Sequence, residues 1–416
     1  MLWYLLLPLM VQPAHPNFLV IILDDVGTDK LACYGESCQF PPTPNICAFA
    51  DNGLKYTRAY AAPYCTPTRS MYQTGRYPHH TGLGVIIGAN HPFDYDLALS
   101  EVTLAEKLPR YHSYHSGKWH MSTQLDGGAN GPNLQGWDFF DGTMFNLNNY
   151  SYYSWPRNLN GMVTTETEYA TVVQTDVAIS ILDTAPTPFV LTLAYSAPHS
   201  PWHYPPSDLH TRSLTGDPDD NPPLFYDAAL EAADTELGVL LPHVPPNTYV
   251  FLFGDNGTPG EARDGCSPFP ASKGTVYEGG IRVPFIVQGP NVKPGVCDSL
   301  VNVPLDTHGT IVGLSRFTAN PSYGVNLKPT FTDHSAVVRD MILEETFTPN
   351  GHGPFVGFDR VVLDQRWALV KHLNQPDEFY DLSLDPYEGD NLLLGMLTTE
   401  QAAAYLSLYQ AEQTWP

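Results

Sequence analysis

Positive charge is what this chain has least of. Its 416 residues carry 20 Lys and Arg against 44 Asp and Glu, a formal net charge of −24. A field of that sign repels nucleic acid, and no nucleic-acid motif is present, so recognition of DNA or RNA across a basic surface is excluded. The same field opposes any anionic substrate. A chain of this composition that binds an anion must do so with a local cluster of cations or a metal. The acidity itself reads as a solubility trait. A membrane-spanning apolar run is also missing. Residues 1–14, MLWYLLLPLMVQPA, are apolar but too short to cross a bilayer. They resemble a signal-peptide core without the usual basic start, which implies export and no stable membrane insertion. Cysteine is sparse: Cys33, Cys38, Cys47, Cys65, Cys266 and Cys297, with no pairing that spacing can assign. Internal repeats and low-complexity tracts are absent. Of two glycosylation sequons, Asn149-Tyr150-Ser151 and Asn256-Gly257-Thr258, the second falls on candidate metal ligands and reads as a chance match. What remains, 43% apolar and 12% aromatic residues, is enough for a large core and one or two domains.

Buried strands dominate the first three quarters. NFLVIIL at 17–23 is a continuous apolar run rich in β-branched residues, as expected of a central strand covered on both faces. It ends in Asp24-Asp25. Two adjacent carboxylates after a buried strand are costly unless something neutralises them. Open α/β sheets collect ligands at the carboxyl ends of their strands, so the pair reads as ligands of a hard divalent cation. A second apolar strand, 248–253, ends in Asp255-Asn256 and repeats the logic. Four oxygen donors suit Ca²⁺ or Mg²⁺ and suit zinc poorly. Between these, residues 43–54 read as a short helix, 55–60 and 189–195 as strands, and 104–108, 168–183 and 224–241 as helical. The Asn-, Tyr- and Gly-rich stretch 143–165 reads as a loop or lid, in which Tyr152, Tyr153 and Trp155 either stack on a ring or pack on the domain. Residues 205–223 read as a surface excursion, 283–288 as another strand and 303–311 as a helix start. Beyond about 320 the pattern changes to period two, with a hairpin, a third strand and a helix at 398–411.

The chemistry centres on Cys65-Thr66-Pro67-Thr68-Arg69, running on through Ser70 to Gly75, Arg76 and Gly82. Thr66 is expected to cap a helix and Pro67 to start it. That sets Cys65 just ahead of free N–H groups at the positive end of a helix, where a tetrahedral anion is stabilised. Arg69, one turn on, can fork two donors onto an oxyanion or onto Cys65. In HSYHSGKWH, Lys118 and His120 are two apart, so an extended segment turns both to one side. Lys can hold an oxyanion and His can move a proton. His112 and His115 read as surface residues. His199 follows the 189–195 strand and ranks ahead of His203; Lys273 precedes another strand.

This constellation resembles the formylglycine-dependent sulfatases, arylsulfatase-like members of the alkaline phosphatase superfamily. The likeness covers nearly the whole chain. It implies that Cys65 is converted to formylglycine by a formylglycine-generating enzyme and that Arg69 supports it. It implies Asp24, Asp25, Asp255 and Asn256 as metal ligands, with the converted Cys65 beside the metal. Lys118 and His120 match the first Lys–His pair, His199 the histidine at the leaving group, and Lys273 the second sulfate-binding lysine. Glu278 to Arg282, and Phe379-Tyr380-Asp381 through to Asn391, match the family as well. The fold implied is an α/β/α sandwich of alkaline-phosphatase type with a large, mostly parallel mixed sheet. A small C-terminal antiparallel sheet with a packed helix completes it. The expected boundaries are a signal segment at 1–14, a catalytic domain at 15–320 and a C-terminal subdomain at 321–416. The function implied is hydrolysis of an aryl or carbohydrate sulfate, with Ca²⁺ favoured over Mg²⁺. Two alternatives stay open: a phosphonate monoester or phosphodiester hydrolase of the same superfamily, and a non-catalytic carbohydrate-binding relative, which would have lost at least one of these residues.

Overall fold

The computed structural model describes residues 15–88, 95–123, 125–317 and 322–415. The expected signal segment at 1–14 and the domain boundary at 320/321 lie outside the described residues. The sequence's central strand is the middle of the fold. Asn17–Leu23 pairs in parallel with Phe189–Ala194 on one side and with Thr248–Gly254 on the other. Ten strands make up the sheet, in the order Gly295–Cys297, Leu54–Tyr56, Phe285–Gln288, Thr248–Gly254, Asn17–Leu23, Phe189–Ala194, His112–Lys118, Phe139–Thr143, Trp155–Leu159, Met162–Glu166. Antiparallel pairing joins Phe285–Gln288 to both its neighbours and closes the far edge, while the middle is parallel.

Side-chain alternation explains the layers. Phe18, Val20 and Ile22 face one side, where they meet the cluster holding Tyr72, Leu104 and Ile311. Leu19, Ile21 and Leu23 face the other, against Phe49, Ile181, Leu230 and Leu237. The helices Cys65–Thr74 and Val303–Ser315 cover the first face; Pro44–Asp51, Ala170–Thr184 and Pro222–Leu240 cover the second. Each fully buried side chain of this kind stabilises the fold by about 1.5–3 kcal/mol, and between Asn17 and Asp24 the run is apolar throughout.

A second, four-stranded antiparallel sheet comprises Ile342–Thr348, Gly357–Leu363, Trp367–His372 and Glu378–Asp381. One face packs on Tyr60, Val276 and Ile281 of the main body. The other holds Leu408 of the Thr399–Thr414 helix together with Met71 and Leu305. The hairpin, third strand and helix match expectation; the Ile342–Thr348 strand, which carries the paired acids Glu344 and Glu345, was not anticipated.

Two expectations need correction. Residues 143–165 are not simply a loop: Trp155–Leu159 and Met162–Glu166 form a hairpin that extends the large sheet. Tyr152 and Trp155 are buried, so they pack on the domain and are not open stacking platforms; Tyr153 is exposed. His115 is not a surface residue either. It is buried against Trp119, Trp137 and Phe140, its Nε2 is 3.2 Å from the Lys118 carbonyl, and burial pulls its pKa down to about 3. His112 is exposed. A disulfide joins Cys38 to Cys266, and Cys33, Cys47, Cys65 and Cys297 are free.

Candidate active site

Register sets the site. Leu23 lies opposite Gly254 in the parallel ladder, so Asp24-Asp25 and Asp255-Asn256 leave the sheet side by side. The two turns then bond to each other. The Asp255 N–H donates to the Leu23 carbonyl (3.1 Å), and the Asp25 N–H donates to Asp255 Oδ1 (2.9 Å). Asp25 holds a left-handed backbone, φ 71°, a conformation that aspartate and asparagine accept more readily than other non-glycine residues. The hydroxyl of Tyr226, on the Pro222–Leu240 helix, donates to the Asp25 carbonyl (2.8 Å).

Cys65 begins the Cys65–Thr74 helix and is fully buried. Its Sγ lies 3.3 Å from Asp24 Oδ1, 3.6 Å from Asp25 Oδ1 and 3.6 Å from Lys273 Nζ. Lys273 also donates to Asp25 Oδ1 (2.6 Å), and Lys118 to Asp24 Oδ2 (2.5 Å). His199 Nε2 is 3.5 Å from Asp25 Oδ2, while its Nδ1 lies 2.7 Å from the Ser200 carbonyl and so carries the hydrogen. His120 Nε2 lies 2.8 Å from the Ile87 carbonyl. Its Nδ1 is buried and has no partner among the described residues.

Three readings change here. Thr66 is not the cap; Tyr64 stands before the helix, and Cys65 and Thr66 are already inside it. The Thr66 hydroxyl instead donates to the His120 carbonyl (3.0 Å) and accepts from the Ile87 N–H (3.3 Å), pinning the segment that bears His120. Arg69 does not fork onto Cys65. Its Nε and Nη2 both bond Asp255 Oδ2 (3.1 and 2.8 Å), and Nη1 bonds the Lys118 carbonyl (2.8 Å). His120 does not share a strand face with Lys118. The strand stops at Lys118, and a left-handed turn, φ 62°, brings the ring round. His203 stacks on Tyr152 (3.8 Å between centroids), so His199 is the histidine that faces the carboxylates.

Burial alone would raise the carboxyl pKa values of Asp24 and Asp25, but nearby cations reverse the sign. Lys118, His199 and Arg69 hold Asp24 below its ordinary range; Lys273 and His199 do the same for Asp25. Burial would lower the Lys273 pKa, yet Asp25 raises it overall. Burial lowers His120 strongly, helped by Lys118 and Arg69, and the ring is neutral at ordinary pH. Burial and then Asp255 push the Cys65 thiol well above its ordinary range, so an unmodified thiol stays protonated. Three carboxylates thus face three cations, all of them buried except Lys273, which is partly exposed.

Ligand atoms of Asp24, Asp25, Cys65 and His199 all lie within 4.8 Å of one another; Asp255 is not in that group, its Oδ1 accepting from the Asp25 N–H and its Oδ2 from Arg69. The carboxylates could hold a hard divalent cation. Asn256 Oδ1 is buried with no donor among the described residues, a costly arrangement that an oxygen-seeking cation would relieve. Its Nδ2 is committed to Asp25 Oδ1 (2.9 Å), which removes the sequon asparagine from any glycan.

A family model described as Sulfatase matches residues 16–315, which span this whole constellation. The chain belongs to the sulfatase family. Members of this family are sulfuric ester hydrolases. The chain is 30% identical to arylsulfatase J of Mus musculus over 335 residues, covering 73% of this chain and 53% of that one, so it spans about half the length of that relative. It is 28% identical to arylsulfatase A of Homo sapiens, covering 95% of this chain and 88% of the other. The solved structure of Ps i-CgsB in complex with k-i-k-neocarrahexaose superposes with a TM-score of 0.82 at 23% identity, covering 96% of this chain and 92% of that one. The fold is therefore the alkaline-phosphatase-like α/β/α sandwich of the sulfatases.

Within this sulfatase, a joint that the sequence did not reveal links the two acidic turns. Asp29 Oδ1 accepts from the Thr258 hydroxyl (2.6 Å), and Asp29 Oδ2 accepts from Ser267 (2.6 Å). Thr258 Oγ1 accepts from the Gly27 N–H (3.2 Å), and the Thr258 carbonyl accepts from the Lys273 N–H (3.1 Å). A Cβ on Gly27 would lie 2.7 Å from Asp29 Oδ1 and 2.9 Å from Thr258 Oγ1, so a larger residue would push these two bonded side chains apart. Tyr152 similarly fixes the His199 turn, donating to the Ser196 and His199 carbonyls (2.6 and 2.7 Å). Only the sequon at Thr258 carried any sequence signal, and it pointed elsewhere.

Proposed function

We propose that this sulfatase hydrolyses an aryl or carbohydrate sulfate through position 65 carried as formylglycine, whose hydrated aldehyde is the nucleophile. The observation that carries the reading is the convergence of Asp24, Asp25 and Lys273 on Cys65 Sγ in a pocket where a thiol stays protonated. A thiol there is a poor nucleophile. One hydroxyl of the hydrate attacks sulfur and displaces the alcohol, leaving a sulfate hemiester on residue 65. The other hydroxyl loses its proton, the carbonyl re-forms, the bond to sulfate breaks, and water rehydrates the aldehyde. The net reaction is ester plus water to alcohol plus hydrogen sulfate.

Lys118 and Lys273 supply fixed positive charge for the sulfate oxygens. Arg69 holds Asp255 in place and adds its charge from behind. His199, whose Nδ1 hydrogen is tied to Ser200, faces the leaving oxygen with Nε2 and serves as the acid only when Nε2 is protonated as well; burial lowers its pKa overall, against the pull of Asp25 3.5 Å away. His120, with Nε2 tied to Ile87, keeps Nδ1 for the proton of the second hydroxyl. Asp24, Asp25, Asp255 and Asn256 would hold a divalent cation, calcium in our reading, which lowers the nucleophile's pKa and offsets sulfate charge. Maturation needs a formylglycine-generating enzyme, and export fits the apolar start of the chain. A glycan substrate is supported by the neocarrahexaose complex of Ps i-CgsB. The test is the mass of the residue-65 peptide together with release of sulfate from aryl and sugar sulfates and a matched aryl phosphonate. Preference for the phosphonate would overturn the sulfate reading.

A further inference from the structure

A cavity of about 240 Å³ lies beside the site just described, at the same edge of the sheet. Ser122, Met144, Phe145, Asn146, Tyr150 and Val163 are among its walls, and no described residue lining it is charged. In a chain of net charge −24 that absence is informative. Three contacts join the cavity to the site. The Phe145 ring meets the His120 ring edge-on at 6.3 Å. The His120 N–H donates to the Met144 carbonyl (3.0 Å). The Ser200 hydroxyl, next to His199, donates to Asn148 Oδ1 (3.4 Å) on the same 144–150 segment. Two polar groups of the lining have capacity to spare. Asn146 Oδ1 is buried with no donor among the described residues. Ser122 Oγ accepts from Trp119 Nε1 (2.9 Å), a bond that leaves its own hydrogen free.

We propose that this cavity is the subsite for an uncharged sugar ring adjoining the sulfated unit of the substrate. The proposal rests on the sulfate-ester reading of the Cys65 site. The ring's apolar face packs on Phe145 and Tyr150. A sugar hydroxyl donates to Asn146 Oδ1, an acceptor that a plain hydrocarbon would leave buried and unsatisfied. A carboxylate or second sulfate meets no cation in the lining and enters against the field of the chain. The volume, below the roughly 300–1,000 Å³ of drug-sized pockets, suits one ring and not an extended chain.

Asn146→Ala and Val163→Arg test this; Val163 is 52% exposed, so a long polar side chain is tolerated there. The substrates are a monocyclic aryl sulfate, a sulfated disaccharide whose second sugar is neutral, and its counterpart whose second sugar is a uronic acid. The wild type should favour the neutral disaccharide over the uronate by about tenfold in kcat/KM. Asn146→Ala should raise KM for the neutral disaccharide about three- to tenfold with kcat unchanged. Val163→Arg should narrow or invert the preference, and the monocyclic ester should respond to neither change. A neutral-to-uronate ratio that stays within about twofold of wild type in both variants would overturn the proposal. Ligand-observed NMR with the unsulfated neutral disaccharide gives a readout independent of turnover. Saturation transfer in the wild type that is lost in Val163→Arg supports the subsite; equal transfer in both, or none in either, overturns it. Sugar binding of that kind by a chain inactive on every sulfate ester would overturn the hydrolase reading and uphold the cavity.

Discussion

Cys65 and His120 are both held neutral, first of all by burial; Asp255 adds to the effect at the thiol, and Lys118 and Arg69 add to it at the imidazole. A neutral imidazole whose Nε2 is tied to Ile87 has one role left, acceptance of a proton at Nδ1. His120→Ala should therefore lower kcat by about 10²–10⁴ with little change in KM, and steady-state kinetics on an aryl sulfate decide it. A KM effect alone would show that the residue only shapes the pocket. His308 illustrates a structural use of the same physics. It is buried, its Nδ1 lies 2.8 Å from the Tyr72 carbonyl, and burial, aided by Lys107, brings its pKa down to about 3. The unfolded chain binds a proton at this histidine below about pH 6.5 and the folded chain does not until about 3, so stability is full above 6.5 and falls as pH drops through that window. Between pH 6.5 and 5 the wild type should lose about 2 kcal/mol that His308→Asn does not lose, seen as a shrinking gap between their urea midpoints. The chemistry-bearing residues were legible because acids, lysines and histidines directly after apolar strands have few structural reasons to be there. Their partners were not. That Arg69 serves Asp255, and that Thr66 serves His120, depends on side-chain geometry set by residues far apart in the chain.

At the scale of elements, the four strands at the heart of the sheet could be read from apolar runs alone, because a strand buried on both faces excludes polar residues. The Trp155–Leu159 and Met162–Glu166 hairpin could not. Met162 and Val163 are exposed, so no alternation marks the pair, and the Asn-Gly turn at 160–161 sits among other loop-like residues. The joint between the acidic turns lives at this scale as well. Thr258 bonds Gly27, Asp29 and the backbone of Lys273, so it ties together both acidic turns and one lysine. Thr258→Val keeps the shape and removes the hydroxyl. Calorimetry should show affinity for Ca²⁺ falling about 10–100-fold, with Thr258→Ser restoring most of it. An unchanged affinity in Thr258→Val would mean that the backbone alone holds the turns.

For the whole molecule, the excess of acid sets a long-range field against an anionic substrate, while three buried cations act only at close range. Raising salt from about 10 mM to 150 mM shortens the screening length from about 30 Å to 8 Å, so it weakens the distant repulsion more than the buried contacts. KM for a sulfate ester should fall over that range with kcat unchanged; a rising KM would show that attraction to the site cations governs encounter. The Cys38–Cys266 bridge joins two segments 228 residues apart, one following the Asp24-Asp25 turn and one preceding Lys273. Replacing both cysteines by serine should lower stability by about 3–5 kcal/mol in chemical denaturation. The central claim is that residue 65 acts as an aldehyde hydrate inside this charge-balanced pocket. It is tested most directly by peptide mass at residue 65, correlated across preparations with Ca²⁺-dependent sulfate release. The account predicts that activity scales with the formylglycine fraction and falls at least about a thousandfold in Cys65→Ala. Full activity from a preparation whose residue 65 is entirely thiol would contradict it.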